Sequence, residues 1–404
     1  MSKNHFHFNE IDQEAINNFL EYLRIPSVHP NINYDACVQF LQNQAERLNL
    51  QYRVHYCKPK NPIVIISLIG SDPTLKSILL NSHMDVVPVF EDKWLYKPFD
   101  ARMDEQGNIY ARGTQDMKSV GIQYLEAVRR LQRDNIVLRR TIHLSFVPDE
   151  EHGGKLGMRE FVKTDEFKKL NIGFALDEGL ASIDNTFKVF YGERTCWRFH
   201  IHCVGGTGHA SLLVNDIASD KVRYLLDKFY NFRNVERKRL ENDNKLTIGD
   251  VTSINLTMLD GGNQLNVIPN ELIMTIDSRI APTTNLQEWE DTIMRWCKEA
   301  GKDTFIVYDQ KHPQVPVTNL DDSSPYWVAF KNVFRKLDRH MKMEIFPAGT
   351  DCRYIRATGI PAIGFSPICN TPVLLHDHNE YLNVKEKKRI HKLSTFPIAN
   401  ESVR

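Results

Sequence analysis

The sequence predicts an α/β protein with a central sheet flanked by helices and a second, inserted domain. Up to Tyr191, short apolar runs typical of buried strands alternate with amphipathic helix patterns. From there the strands alternate apolar with polar residues, as half-buried antiparallel strands do. After His312 the first pattern returns. We therefore expect one domain from residues 1–191 and 312–404, interrupted by a domain of residues 192–311.

The elements of the discontinuous domain follow from these patterns. Apolar residues at helical spacing predict helices over 11–24, 34–48, 120–131 and 326–337. Runs of apolar and β-branched residues predict strands over 63–69, 77–80, 141–147, 173–176 and 361–365. The tail from Lys385 is basic and polar, and a last helix there is not clearly predicted.

The inserted domain has predicted elements in the order β-α-β-β-α-β. Its first strand is predicted over residues 197–202, where apolar and polar residues alternate, and the later strands over 251–259, 271–280 and 304–308. This order is that of the ferredoxin-like unit. Between the first strand and the first helix lies a glycine-rich loop, residues 205–211, which contains His209. Its glycines allow the backbone to approach a ligand closely.

Composition excludes several classes of partner. Among 404 residues, Lys+Arg and Asp+Glu both total 51, so no excess of charge favours nucleic acid or an anionic membrane. No apolar run approaches the roughly 20 residues that span a bilayer. The first ten residues lack the apolar core of a signal peptide. Seven cysteines without CxxC pairs favour reduced thiols, so we expect a cytoplasmic protein.

The strand of residues 77–80 leads to the first candidate functional residues, His83 and Asp85. Open α/β sheets place their sites at the carboxyl ends of strands. With one residue between them, both side chains fall on the same face of an extended chain. A histidine and a carboxylate so placed suit a metal ligand and the acceptor that orients it. Alone, this pair is a weak signal.

Acidic residues follow two more predicted strands and precede one helix. Asp149, Glu150 and Glu151 come after the strand of residues 141–147. Adjacent carboxylates repel unless a cation or a proton separates them, although a surface turn would also explain them. Asp177 and Glu178 follow the next strand. Asp116 stands where a loop meets a helix, a position that also suits a plain N-cap.

Taken together, these residues can form a hydrolytic centre with two zinc ions. Two metals about 3.5–4 Å apart, bridged by a carboxylate and a water, need further histidine or carboxylate ligands and a general base. Glu150 is the candidate base. The candidate ligands are His83, Asp116, Glu151, Glu178 and His376.

Three stretches carry a resemblance to a known family: residues 78–83 (ILLNSH), 146–151 (FVPDEE) and 372–378 (PVLLHDH). With Asp116, Glu178 and His209, they resemble the signature of the M20 family of metallopeptidases and deacylases. The likeness extends from about Phe19 to Leu382. It implies a zinc-peptidase-like mixed sheet flanked by helices, with an inserted ferredoxin-like α+β domain that serves as lid and dimerisation domain.

The resemblance also implies how the ligands are shared between two zinc ions per subunit. His83, Asp116 and Glu178 match the ligands of one zinc. Asp116, Glu151 and His376 match those of the other, with Asp116 as the bridge. His376 and Glu380 satisfy the family pattern His-x-x-x-Glu, which favours His376 over His378.

Further roles are implied for residues around the metals. Glu150 matches the general base, Asp85 the carboxylate that supports His83, and His209 a histidine that reaches the partner's active site in a homodimer. After Leu176, Glu178 is favoured as the ligand and Asp177 is the alternative. The positions that match the family's substrate-binding residues are Asn266, Arg279, Thr350 and Arg353.

The resemblance implies zinc-dependent hydrolysis of N-acyl-L-amino acids, with a small-molecule substrate and neither nucleic acid nor membrane as partner. A dipeptidase or carboxypeptidase of the same superfamily would use the same site chemistry. A catalytically silent dimeric binding protein would not need Glu150 or a full ligand set. A metal-dependent phosphatase is disfavoured, since no basic cluster surrounds the ligands.

Overall fold

A computed structural model describes residues 9–384. The N-terminal residues before Asn9 and the basic tail from Lys385 lie outside the described part. Within it, no helix is both long and apolar enough to cross a bilayer.

The described helices include those expected from the periodicity of apolar residues. They are α1 (Glu10–Leu23), α2 (Asp35–Arg47), α3 (Lys118–Arg133), α4 (Met158–Phe161), α5 (Asp165–Lys169), α6 (Ala218–Asn242), α7 (Leu286–Ala300), α8 (Pro325–Lys336) and α9 (Cys352–Ala357). Asn9 caps α1 by accepting the backbone N–H of Asp12 at 2.8 Å, as residues of this type do at helix starts.

The described strands form one large sheet and three smaller ones. They are β1 (Gln51–Lys58), β2 (Asn61–Leu68), β3 (Ser77–His83), β4 (Arg102–Met103), β5 (Asn108–Tyr110), β6 (Ile142–Val147), β7 (Ile172–Asp177), β8 (Thr186–Glu193), β9 (Thr195–Val204), β10 (Gly208–His209), β11 (Ser253–Gly261), β12 (Val267–Ile268), β13 (Glu271–Ile280), β14 (Thr304–Lys311), β15 (His340–Phe346), β16 (Ala362–Gly364) and β17 (Tyr381–Asn383).

The large sheet is mixed and has the strand order β1-β2-β6-β3-β7-β16-β8-β15. Its centre is parallel, since β3 pairs in parallel with both β6 and β7, and β16 continues in parallel beside β7. The pairs β1–β2, β2–β6 and β16–β8 are antiparallel. The prediction of a mixed sheet flanked by helices is therefore confirmed.

Helices cover both faces of this sheet, so its central strands are buried. One core contains apolar side chains of α1, α2, α3 and α8 together with one face of the strands. A second core packs α4, α5 and α9 against the other face. β3 and β6 are buried along their whole length, as is typical of central parallel strands.

The inserted segment forms a four-stranded antiparallel sheet with α6 and α7. Its strand order is β11-β13-β9-β14, which is the ferredoxin-like arrangement expected from the order of elements. The apolar sides of both helices form a separate core with this sheet, around Trp197, Phe229 and Trp296. A short pair, β10 and β12, carries His209.

The described chain divides into two compact units. The first contains the residues up to Tyr191, Thr318–Met343 and the residues from Thr350 onward, and the second contains Gly192–Val317 and Glu344–Gly349. Relative to the expected bounds, residues 312–317 and 344–349 group with the second unit. The roles of these units as a catalytic domain and as a lid or dimerisation domain stay predictions.

Three strands of the large sheet were not predicted, namely β1, β8 and β15. In β1 and β15 exposed and partly buried positions are mixed, so neither strand shows a continuous apolar run. In β8 the buried stretch is interrupted by a lysine and ends in Gly-Glu. Pairing with neighbouring strands stabilises these segments in the extended conformation, although their local sequence pattern does not predict strands.

Candidate metal centre

The candidate site lies at the carboxyl ends of β6, β3 and β7, which are neighbours in the sheet. His83 is the last residue of β3. Glu150 and Glu151 lie in a short 3-10 helix that follows β6, and Glu178 comes directly after β7. Because these strands run parallel, their carboxyl ends meet at one edge of the sheet. The three strand ends that carry the predicted histidine and acidic residues thus meet at this edge.

The first ligand group consists of His83, Asp116 and Glu178. One possible ligand atom of each lies within 4.8 Å of the others, and all three residues are buried. The Nε2 atom of His83 is 2.9 Å from Oδ1 of Asp116 and 3.6 Å from Oε2 of Glu178. These distances are short enough for one cation to contact all three.

The second ligand group consists of Asp116, Glu151 and His376. The Nε2 atom of His376 is 3.1 Å from Oδ2 of Asp116 and 3.1 Å from Oε2 of Glu151. Asp116 therefore directs one carboxylate oxygen to each group. This is the geometry of a carboxylate that bridges two metals.

The hydrogen bonds of His83 indicate that the first group suits a cation. Its Nδ1 lies 2.9 Å from the backbone carbonyl oxygen of Asp85, which can only accept, so Nδ1 carries a hydrogen. In a neutral imidazole, Nε2 then presents its lone pair to Asp116 and Glu178. A lone pair that faces two carboxylates requires a cation or a second proton between them.

The buried carboxylates of the second group support the same conclusion. Burial raises the pKa of Glu151 to about 7, and the charge of Asp116 adds to this rise. Hydrogen bonds that the His376 ring donates to Asp116 and Glu151 raise the pKa of His376 to about 10. Among the described residues, Oε1 of Glu151 has no hydrogen-bond partner although it is buried. A bound cation would compensate this concentration of buried negative charge.

Glu150 lies beside this centre with its side chain buried. Burial raises the pKa of its carboxyl well above the usual range, and the negative charge of Glu178 acts in the same direction. Its backbone N–H donates to Oδ1 of Asp85 at 3.2 Å. A buried carboxyl with a raised pKa, next to two ligand groups, suits the uptake and release of a proton.

The carboxylate of Asp85 organises the loop after β6. It accepts the backbone N–H groups of Glu150 at 3.2 Å and Glu151 at 3.1 Å, and it lies 2.9 Å from Nε2 of His29. Its oxygen is 3.8 Å from Nδ1 of His83, whose hydrogen bond goes to the carbonyl of Asp85 instead. Asp85 thus contacts His83 through its backbone carbonyl, whereas the prediction assigned this contact to its carboxylate. The contact of His29 with Asp85 was not predicted, because no sequence motif marks His29.

The loop itself requires unusual backbone conformations. Asp149, Gly153 and Gly154 all have positive φ angles, of 69°, 88° and 62°. A Cβ atom on Gly154 would lie 2.5 Å from Oδ1 of Asp351, so no larger residue fits without a shift. The two glycines after the acidic run therefore allow the positive φ angles and the close approach to Asp351 that this loop requires.

Two alternatives that the sequence left open differ in their surroundings. His376 belongs to the second ligand group, whereas the ring of His378 packs edge-on against Phe90. Asp177 accepts a hydrogen bond from Asn81 at 3.0 Å, and it is Glu178 that faces His83. For Asp116, the interpretation as a plain N-cap is wrong, because Met117 occupies the cap position of α3.

Glu380 holds the loop that carries Asp116. Its carboxylate is fully buried and pairs with Arg112 at 2.9 Å. It also accepts hydrogen bonds from the backbone N–H groups of Gly113, Gln115 and Asp116, at 3.2, 2.5 and 3.3 Å. The glutamate of the His-x-x-x-Glu pattern therefore positions a ligand loop, a role that the spacing alone did not indicate.

Replacing Glu380 by glutamine is expected to lower the free energy of unfolding by about 3–5 kcal/mol, because the buried guanidinium of Arg112 loses its charged partner. Urea denaturation of both proteins measures the difference. Glu105 is exposed, so Glu105→Gln is the control and should change stability by less than about 0.5 kcal/mol. Equal stability of the Glu380→Gln variant and the parent would contradict this role.

The four residues predicted to bind substrate lie in both units, and His209, predicted to act in a partner's active site, lies in the second. In the second unit, His209 is exposed with its Nδ1 at 2.7 Å from Oγ of Ser211, and Arg279 donates to Asp277 at 2.7 Å. Asn266 also lies there, and its carbonyl oxygen accepts the N–H of Ala210 at 2.9 Å.

In the first unit, Thr350 accepts the backbone N–H of Cys352 at 3.2 Å, and the guanidinium of Arg353 lies 4.8 Å from the ring centre of Tyr354. The roles of Asn266, Arg279, Thr350 and Arg353 in substrate binding, and that of His209 in the partner's active site, stay predictions.

The mixed sheet and the buried histidine and carboxylate groups at its edge define a metal-dependent hydrolase. Residues 79–394 match Peptidase family M20/M25/M40, and the chain belongs to this family. It is 47% identical to aminoacylase-1 of Mus musculus over 374 residues, which cover 93% of this chain and 92% of that protein. It is 45% identical to aminoacylase-1 of Dictyostelium discoideum over 386 residues, with 93% and 94% covered. The sequence-based assignment to this family is confirmed.

Solved structures share the fold at lower sequence identity. An M20 family metallo-carboxypeptidase from Sulfolobus solfataricus matches with a TM-score of 0.74 and 17% identity, over 97% of this chain and all of that chain. A dinuclear metal-binding peptidase of the M20 family from Bacillus subtilis matches with a TM-score of 0.68 and 14% identity, over 96% and 98%.

Proposed function

We propose that this protein hydrolyses N-acyl-L-amino acids, such as N-acetylated neutral amino acids, to a free L-amino acid and a carboxylate. The similarity to aminoacylase-1 over nearly the whole chain supports this reaction. The observation that carries the chemistry is the position of Asp116 between the two ligand groups, with the buried carboxyl of Glu150 beside them.

The proposed cofactor is a pair of zinc ions per chain. His83, Asp116 and Glu178 would hold one ion, and Asp116, Glu151 and His376 the other. Imidazole and carboxylate ligands suit zinc, and with three protein ligands a four-coordinate zinc would have one position left for water. When bound, such a pair would polarise the substrate carbonyl and lower the pKa of a coordinated water.

The proposed role of Glu150 is to carry a proton between two stages of the reaction. Its carboxylate takes a proton from the attacking water and later gives it to the amine that leaves. Asp85 supports this role, because its carboxylate holds the backbone of Glu150 and Glu151. Fixing both residues through their N–H groups leaves their side chains free to point in different directions.

Substrate recognition is proposed for residues of both units. Arg353 carries a planar guanidinium that suits the α-carboxylate of the substrate, assisted by Asn266, Thr350 and Arg279. His209 is proposed to act in the active site of a partner subunit, where an imidazole would stabilise the oxyanion. This role requires a homodimer, which is part of the proposal.

A cytoplasmic location is also proposed. Cysteine usage supports it, since the seven cysteines, all within the described range, are thiols. Such thiols persist in a reducing compartment.

Hydrolysis of N-acetyl-L-methionine is expected to stop on treatment with a chelator and to return on addition of zinc, since the proposed mechanism needs metal-bound water. Release of methionine is measured together with the metal content of the same samples. A methionine-containing dipeptide serves as the control substrate and should be cleaved far more slowly. Preference for the dipeptide would favour a dipeptidase or carboxypeptidase. No cleavage of either substrate with metal bound would contradict the proposed function.

A further inference from the structure

A third group of possible metal ligands lies near the proposed centre and shares no residue with it. It consists of His29, Asp149 and His152, whose nearest ligand atoms all lie within 4.8 Å of one another. The rings of His29 and His152 are stacked with their centres 3.7 Å apart. Asp149 is buried, His29 is partly buried and His152 is exposed, so the group can be reached from solvent.

The chemistry of this group is that of a zinc-class site. Two imidazoles and one carboxylate, completed by water, are a common ligand set for zinc. Asp149 accepts the backbone N–H of Leu156 at 2.7 Å, and this hydrogen bond orients its carboxylate as partners of metal ligands do. A single carboxylate and an exposed histidine should give weaker binding than the carboxylate-rich centre formed around Asp116.

The group is connected to the residues that perform the proposed reaction. Asp149 and His152 directly flank Glu150 and Glu151 in the chain. His29 lies 2.9 Å from the Asp85 carboxylate that accepts the N–H groups of Glu150 and Glu151. A cation bound by His29, Asp149 and His152 would therefore pull on both ends of the segment that contains Glu150, the proposed base.

We propose that His29, Asp149 and His152 bind a third divalent cation of the zinc class, and that its binding inhibits hydrolysis by shifting the segment that contains Glu150. The cation site itself does not depend on the proposed reaction, whereas its inhibitory effect rests on it. At low zinc only the proposed pair is filled, and at higher zinc the third site fills.

The test is a zinc titration of the metal-free full-length protein by equilibrium dialysis, with metal content and turnover of N-acetyl-L-methionine measured on the same samples. The expected result is two zinc ions per chain at full activity, followed by a third ion and a parallel loss of turnover. His152→Ala should bind two ions and keep its activity at high zinc. His340 is exposed in β15 outside the cluster, so His340→Ala is the control and should behave like the parent.

A second variant tests the ligand set separately. His29→Gln can still donate a hydrogen bond to Asp85 but lacks the imidazole, and it should also lose the third ion. A third ion that persists in both variants, or one that the parent never binds, would overturn the site. A third ion that binds without loss of turnover would overturn the inhibitory role. Because metal content is measured on each sample before substrate is added, absence of hydrolysis at every zinc concentration would count against the proposed function and not against the site.

Discussion

Glu150→Gln is expected to keep both metal ions and to lower kcat by about 10²–10⁴-fold, the usual contribution of a general acid–base group. Glutamine has nearly the same size as glutamate, and the backbone N–H of residue 150 still donates to Asp85. The amide cannot take a proton from water at neutral pH. The chemical step is therefore removed while the loop and the metal ligands remain in position.

The neighbouring residue provides the matched control for this experiment. Glu151 lies 3.1 Å from His376 in the second ligand group, so Glu151→Gln should lose metal as well as turnover. The kcat for N-acetyl-L-methionine and the metal content of both variants separate proton transfer from metal binding. Turnover near that of the parent in Glu150→Gln would exclude Glu150 as the base.

Much of this site could be predicted from sequence because its signals are local. His83, Glu150 and Glu178 each follow an apolar strand within a few residues, and polar residues that end buried strands are visible in the sequence. In a parallel sheet such strand ends share one edge, so nearness in space follows from the order of elements. The structure brings these residues together as that argument requires.

Other contacts in the site have no local signal in the sequence, because they join segments that are distant along the chain. His376 meets Asp116 across 260 residues of sequence, and only the family resemblance indicated this contact. His29 lies 56 residues before its partner Asp85, in a loop without a motif. Glu380 binds backbone N–H groups of the Asp116 loop, and sequence gives no sign of which backbone groups need an acceptor. Spacing along the chain carries no such information.

Asp116→Asn is expected to have a broad effect, because among residues 9–384 Asp116 is the one shared by both ligand groups. Its Oδ1 lies 2.9 Å from His83 and its Oδ2 lies 3.1 Å from His376. Asparagine supplies one oxygen, and its NH₂ group cannot bind a cation. Even partners that only support a ligand contribute about 10–100-fold to metal affinity or activity, so loss of the bridge should exceed that range.

The variant should therefore retain at most one zinc ion per chain and lose more than about 100-fold in kcat/KM, a lower limit set by the effect of supporting residues. Metal analysis after dialysis and turnover of N-acetyl-L-methionine measure the two effects. Asp92 is a surface residue with a side chain that is 75% exposed, and Asp92→Asn should keep two ions and full activity. In the parent protein, a bridging carboxylate makes the two zinc sites interdependent, so both ions should be lost together as the concentration of free zinc falls. Independent loss of two ions in Asp116→Asn, each with the affinity measured for the parent, would show that Asp116 does not bridge them.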